Sequence, residues 1–138
     1  MGVVTSDINV FDLRRIPLQG GDVLKGMLGS DGMSGGFGEL YFSFIEFSVV
    51  KGWKRHNRMS SNLMVPVGVV KFVFIGDDPN DRLEVISGEG GHRRISVPPG
   101  FWMAFSGLTQ GPNLVVNIAD IPHDDNEEDR TSLSAFDF

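Results

Sequence analysis

The sequence contains no cysteine, which excludes a disulfide scaffold, thiol catalysis and every zinc site built on thiolates. No apolar stretch approaches the roughly 20 residues needed to span a bilayer. The first residues, Met1 to Phe11, also lack the basic start and continuous apolar run of a secretory signal, so no membrane partner and a cytoplasmic location are expected. Cations are scarce: 12 Lys and Arg against 18 Asp and Glu give a net charge of -6. The excess positive charge that binding to a phosphate backbone requires is missing, and nucleic acid is not expected as a partner. A long amphipathic helix is absent, as are a phosphate-binding glycine loop leading into a helix, a Gly-x-Ser-x-Gly elbow and a nicotinamide fingerprint.

What is present is a chain of 138 residues, the size of a single domain with a core of its own. Eighteen glycines and seven prolines punctuate short runs rich in Val, Ile and Phe, a pattern that predicts many short strands joined by turns. Residues 39–48 alternate, with Glu39, Tyr41 and Ser43 on one face of a strand. A second strand carries VVKGWKRH, and the run 69–75 reads as a strand buried on both sides, with a break at Pro66 and Gly68 before it. Further strands follow in LEVIS, RRISV, FWMAF and NLVVNIAD. The expected fold class is all-β, a sandwich or jelly-roll β-barrel in a single domain. Residues 1–38 form an N-terminal strand and Gly-rich loop in this reading, 39–120 the barrel core, and 121–138 an exposed acidic turn and tail.

Charge is unevenly distributed. Asp120, Asp124, Asp125, Glu127, Glu128 and Asp129 crowd one segment, while Lys51, Lys54, Arg55, His56 and Arg58 crowd another, where a small anionic ligand fits. Lys54 and His56 are two apart and share a strand face, with Trp53 and Arg55 opposite. A histidine near neutrality, or a lysine beside another cation, can remove a proton next to a ketone, although a solvated basic edge explains the same residues. The sole tyrosine, Tyr41, is a candidate general acid or a core aromatic. Lys71 interrupts an apolar strand and is expected to face a lumen or an ion pair. Trp102 and Met103 are candidates to cap a ligand or to fill the barrel. His92, Arg93 and Arg94 could hold a diphosphate or lie at a solvated turn, and His123 reads as a capping or salt-bridging residue.

Lys51-Gly52-Trp53-Lys54, then Asn62-Leu63-Met64 through Gly68-Val69-Val70, then Val97-Pro98-Pro99-Gly100-Phe101-Trp102-Met103, then Ala119-Asp120 with its acidic run, resemble in their order the landmarks of the dTDP-4-dehydrorhamnose 3,5-epimerases. The resemblance covers about two thirds of the chain. It implies a dimeric cupin acting on nucleotide 4-keto-6-deoxy sugars in deoxysugar supply for surface polysaccharide. Polar residues alternate before the family's basic strand, and Glu39, Tyr41 and Ser43 occupy the matching positions. The family's general-base histidine falls on Lys54 and its corner histidine on Met103. Its tyrosine falls near Val116 or Asn117, and the aspartate that orients the base has no counterpart before Phe138. Many cupins hold a metal through a His-x-His pair, a Glu and a later His; this chain falls short of that ligand set, so neither a metal nor another cofactor is expected.

The expected function is cofactor-independent epimerisation or isomerisation of a nucleotide-linked keto sugar. Lys54 and His56 are the candidate bases and Tyr41 the candidate acid, with Glu39, Ser43, Lys51, Asn62, Lys71, Trp102 and Met103 as substrate contacts. The rivals are a non-catalytic nucleotide-sugar-binding cupin and a small-molecule sensor with an apolar pocket around Trp102, Met103 and Phe105. A homodimer is expected from the family resemblance.

Overall fold

The computed structural model describes residues 2–33 and 35–138. Its strands are β1 (Asn9–Asp12), β2 (Arg15–Ile16), β3 (Val23–Leu24), β4 (Glu39–Phe44), β5 (Val50–His56), β6 (Ser61–Val67), β7 (Val69–Ile75), β8 (Arg82–Gly88), β9 (Arg93–Val97), β10 (Trp102–Gly107), β11 (Leu114–Ala119) and β12 (Glu128–Arg130). Helical structure is confined to single 3-10 turns, and no helix among the described residues is long and apolar enough to cross a membrane.

Two five-stranded antiparallel sheets, in the orders β1-β9-β6-β11-β4 and β12-β5-β10-β7-β8, form a cupin jelly roll, with β2 and β3 as a separate small hairpin. Alternation along the strands sorts side chains between the space enclosed by the two sheets and their outer faces. On β7, Val70, Phe72 and Phe74 turn inward to a core shared with Leu63, Val65, Ile95 and Val115 of the opposite sheet. Val73 and Ile75 turn outward, where Trp53, Ala104, Phe136 and Phe138 cover them. The run 69–75 is therefore buried on both sides, as its composition predicts, because the C-terminal residues fold back over the second sheet.

Two bulges shape the sheets. Pro66 does not break the chain before β7 but sits inside β6, where two residues of β6, Val65 and Pro66, face the single β11 residue Val115 between Leu114 and Val116. A proline is tolerated there because a bulged residue gives up a ladder hydrogen bond. The second bulge is on β5: Met103 pairs with Lys54, and Phe105 pairs with Lys51. One extra residue on β5 turns Lys51 onto the same face as Lys54. Gly52 makes this possible, since its φ is +152° and a Cβ there would meet the Ala104 Cβ at 2.5 Å.

Residues 1–38, expected as one N-terminal strand and a Gly-rich loop, carry three short strands, of which β2 and β3 are two residues each. The acidic segment is the larger departure. After a 3-10 turn at Asp125–Glu127 it becomes β12, which pairs with β5 in the register Glu128 to His56, Asp129 to Arg55 and Arg130 to Lys54. Expected to be solvated, it is the edge strand beside the basic cluster.

Candidate active site

Between the two sheets lies a cavity of about 350 Å³, within the range of small-molecule sites. Its floor is apolar, made by Leu63, Phe72, Phe105 and Val115. The first sheet supplies Tyr41 and Ser43 from β4 and Asn117 from β11, all neutral and polar. The second sheet supplies Lys51, Lys54 and His56 from β5, Met103 from β10 and Arg130 from β12. One wall is thus cationic and the facing wall carries hydroxyl and amide groups.

His56 is the best-anchored titratable group in the cavity. Its Nδ1 hydrogen-bonds Glu127 Oε1, whose carboxylate is fully buried. The other oxygen of Glu127 accepts from the backbone N–H groups of Arg58 at 2.9 Å and Met59 at 3.1 Å. Burial pushes the Glu127 carboxyl up, but the bonds from His56 and the two N–H groups outweigh it and hold the carboxyl below its ordinary value. A carboxylate on Nδ1 fixes the neutral imidazole with its proton on that nitrogen. Nε2, which has no hydrogen-bond partner among the described residues, is left with its lone pair free.

Alternation along β12 places Glu128 and Arg130 toward the cavity and Asp129 away from it. Glu128 is shared between Lys54, 3.5 Å from its Oε2, and Arg130, which donates to Oε1 at 2.8 Å. Asp129 is bound by Arg55 at 2.7 Å on the outer side, and its carboxyl is lowered first by that bond and then by Asn57. Lys51 donates to the Phe44 carbonyl at 2.7 Å. On the opposite wall Tyr41 and Asn117 are direct cross-strand partners, and Asn117 Nδ2 donates to the tyrosine oxygen at 2.8 Å. Burial pushes the Tyr41 hydroxyl above its ordinary value, with the bond from Asn117 pulling the other way.

Of the residues singled out in the sequence, Tyr41, Ser43, Lys51, Lys54, His56 and Met103 meet in this cavity. Four of the expected substrate contacts, Glu39, Asn62, Lys71 and Trp102, do not line it. Lys71 faces outward on β7, paired with Glu84 at 3.1 Å and lying over the Phe138 ring. Trp102 is also on the outer face, packed against Phe136 and under the Arg55 guanidinium. Asn62, out of phase with Ser61 and Leu63, accepts from Arg94 at 2.7 Å. Glu39 shares the face of Tyr41 but is engaged by the backbone N–H of His123 at 2.8 Å. Arg93 and Arg94 form no anion site, since Arg93 binds Asp12 and the Ile86 carbonyl while Arg94 is taken by Asn62 and Asp31. His123 Nε2 hydrogen-bonds Asp125 at 2.8 Å.

Glu127, Glu128, Arg130 and Asn117 were not singled out from sequence as site residues. Asn117 had a signal, being the polar member of an alternating apolar strand. For the β12 residues the only signal was the two-residue spacing of Glu128 and Arg130 within an otherwise polar run. His56, Glu127 and Glu128 bring potential metal-ligating atoms within 4.8 Å of one another. Each carboxylate there already has protein partners: Glu127 binds His56 and two N–H groups, and Glu128 binds Lys54 and Arg130.

No protein-family model and no curated protein matches the chain. Among solved structures, a dTDP sugar isomerase from Desulfovibrio desulfuricans G20 is 33% identical, with a TM-score of 0.84 over 93% of this chain and 85% of that one. The dTDP-6-deoxy-D-glucose-3,5-epimerase of Legionella pneumophila, solved with dTDP-4-keto-L-rhamnose, shares the fold at 15% identity, with a TM-score of 0.80 over 93% of this chain and 74% of that one. A sugar 3,4-ketoisomerase from Thermoanaerobacterium thermosaccharolyticum, solved with TDP, does so at 14% identity, with a TM-score of 0.73 over 90% and 88% of the two chains. With one relative a third identical along nearly its whole length, and the same jelly roll enclosing a cavity between its sheets, the chain belongs to the cupin family of dTDP-sugar isomerases and epimerases to which the dTDP-4-dehydrorhamnose 3,5-epimerases also belong.

Proposed function

We propose that this protein is a cofactor-independent epimerase or isomerase of a dTDP-4-keto-6-deoxy sugar, with His56 as the base. The observation that carries this reading is the His56–Glu127 pair, a histidine oriented by a buried carboxylate on the cationic wall of a cavity whose facing wall holds Tyr41. The C–H beside a ketone is acidified because the electron pair left behind delocalises onto the carbonyl oxygen. In this mechanism Nε2 takes the proton, the carbon–carbon bond gains double-bond character, and negative charge collects on the former ketone oxygen. Glu127 stabilises the imidazolium that results. Tyr41 supplies a proton on reprotonation. Lys54, Lys51 and Arg130 attract the diphosphate and offset the developing charge, while Ser43 and Met103 contact the sugar. Lys54 holds the position where the family resemblance puts the base, and its engagement with Glu128 suits it to electrostatics rather than proton abstraction.

The chain is further proposed to act as a homodimer in deoxysugar biosynthesis. On the outer face of β4, an edge strand, Leu40, Phe42 and Phe44 are 45%, 60% and 64% exposed, an apolar stripe of the kind a second copy covers.

Proton NMR of dTDP-4-keto-6-deoxyglucose incubated with the protein in deuterium oxide tests the mechanism. Solvent deuterium is expected at a carbon next to the ketone, and its appearance is expected to stop in H56A. Saturable binding without exchange would sink the enzymatic reading and leave a nucleotide-sugar-binding cupin. Exchange that persists in H56A would move the base elsewhere.

A further inference from the structure

Asn117 is buried and lines the cavity, yet it makes no contact that the fold evidently needs. Both of its N–H groups are committed: one donates to the Tyr41 oxygen at 2.8 Å and the other to Ser61 Oγ at 3.2 Å. Its own oxygen, Oδ1, is buried without a hydrogen-bond partner. A buried acceptor left unpaired is costly, and an apolar residue on β11, like its inward neighbours Val115 and Ala119, would avoid that cost. The amide therefore acts here as a donor only. A donor placed on a phenol oxygen occupies one of its lone pairs, so the phenol's own proton must point elsewhere. Met59 Sδ, at 3.9 Å, is the only acceptor that proton finds among the described residues, and thioether sulfur is a weak acceptor that a ligand oxygen readily displaces.

We propose that Asn117 is the positioning residue of Tyr41: anchored by Ser61, its amide turns the tyrosine hydroxyl into a proton donor directed at the ligand rather than at the protein. This rests on the functional reading above only for its catalytic consequence, since the hydrogen-bond arrangement exists without ligand. The arrangement spans three adjacent strands, β6, β11 and β4, so the sheet fixes its geometry. It also counteracts burial, because a donor on the oxygen stabilises the phenolate formed when the proton leaves.

The test uses the fact that Tyr41 is the only tyrosine, so phenolate absorbance reports this residue alone. The full-length protein and two variants are titrated by stopped-flow pH jump, which reads ionisation before alkaline unfolding. Asn117→Leu removes the donor, and its midpoint is expected to move up by about one pH unit. Asn117→Asp, ionised at these pH values, reverses the bond so that Tyr41 donates to the carboxylate, and its midpoint is expected to rise further. Far-ultraviolet circular dichroism establishes that each variant is folded, and either variant alone suffices. With dTDP-4-keto-6-deoxyglucose, kcat is expected to fall about 10-fold or more in both variants, while the affinity for dTDP changes less than 2-fold. An unshifted Tyr41 midpoint in a folded variant overturns the proposal. A shifted midpoint with kcat unchanged confines Asn117 to a structural bond and overturns its positioning role. If the unmodified protein turns over no keto sugar, the functional reading fails instead, and the titration still decides whether Asn117 sets the Tyr41 hydroxyl.

Discussion

Replacing Glu127 by Gln changes almost no atoms in the site and is expected to disable it. The carboxylate oxygen Oε2 accepts from two backbone N–H groups, and Oε1 accepts from His56 Nδ1. In Glu127→Gln only the amide oxygen can accept from the two N–H groups, so the NH₂ group must face His56. Nδ1 then has to become an acceptor, the imidazole proton moves to Nε2, and the nitrogen facing the cavity can no longer take a proton at neutral pH. The expected loss in the rate of deuterium incorporation is about 10²–10⁴-fold, the contribution of a positioned general base. Stability should fall only modestly, by about 1–2 kcal/mol, as charge-assisted bonds become neutral ones. Glu127→Ala leaves two N–H groups and the imidazole without their partner and is expected to cost about 3–5 kcal/mol. Nitrogen-15 NMR of the histidine ring reads the tautomer directly. The reasoning fails if Glu127→Gln is folded, shows the proton on Nε2, and still exchanges substrate protons within about 3-fold of the unmodified protein.

Because Glu127 titrates below its ordinary value of 4.5 in the folded protein, the unfolded chain takes up that proton first on acidification. Its contribution to stability is complete above about pH 4.5 and is lost as the pH falls through the lower folded value; denaturant melts between pH 7 and 3 should show a shallower decline for Glu127→Gln. Gly52→Ala forces a Cβ to within 2.5 Å of the Ala104 Cβ at a φ of +152°, and a cost of about 2–3 kcal/mol is expected by thermal melting. Lys54→Met should weaken dTDP binding about 10-fold at low salt and less at high salt, whereas Lys71→Met, on the outer face, should leave it unchanged by calorimetry. Glu substituted at both Phe42 and Phe44 is expected to convert the dimer to a monomer by light scattering; a monomer before substitution would show that this face does not pair two copies.

The parts of the fold that were legible in the sequence are those set by local alternation. β4 presents Glu39, Tyr41 and Ser43 on one face, β5 presents Lys54 and His56 together, and β7 is buried on both sides because every residue but Lys71 on its two faces is apolar. What alternation leaves undetermined is which strands meet and where a bulge shifts their phase. Lys71 is a polar break in an apolar run, which is compatible with a lumen on either side of the strand; Val70, Phe72 and Phe74 take the core face, so Lys71 points outward, where it meets Glu84 and Phe138. Trp102 is placed by the same packing, which draws it to Phe136 and away from Met103. The β12 residues were misread for a different reason. A run such as DDNEED has no apolar residue to mark an inward face, so its pairing with β5 depends on charges some 70 positions away.

Those charges also determine what the cavity can receive. Taken along the chain, the acidic and basic segments look as if they should neutralise one another, and outside the cavity two pairs do: Arg55 is matched by Asp129 and Arg58 by Asp124. Within the cavity the match is incomplete. Lys54 and Arg130 share the single carboxylate of Glu128, and Lys51 has only a backbone carbonyl. A carboxylate shared by two cations leaves positive charge uncompensated, and the bulge at Gly52 adds Lys51 to the same wall. Lys51 and Arg130 are solvent-exposed, so this excess is hydrated at the mouth of the cavity, where it favours ligands bearing concentrated negative charge. A protein of net charge -6 repels anions at long range, so entry of a diphosphate must be driven by this local field. The ionic-strength dependence expected for Lys54→Met follows from that solvent access, because salt screens solvated charges.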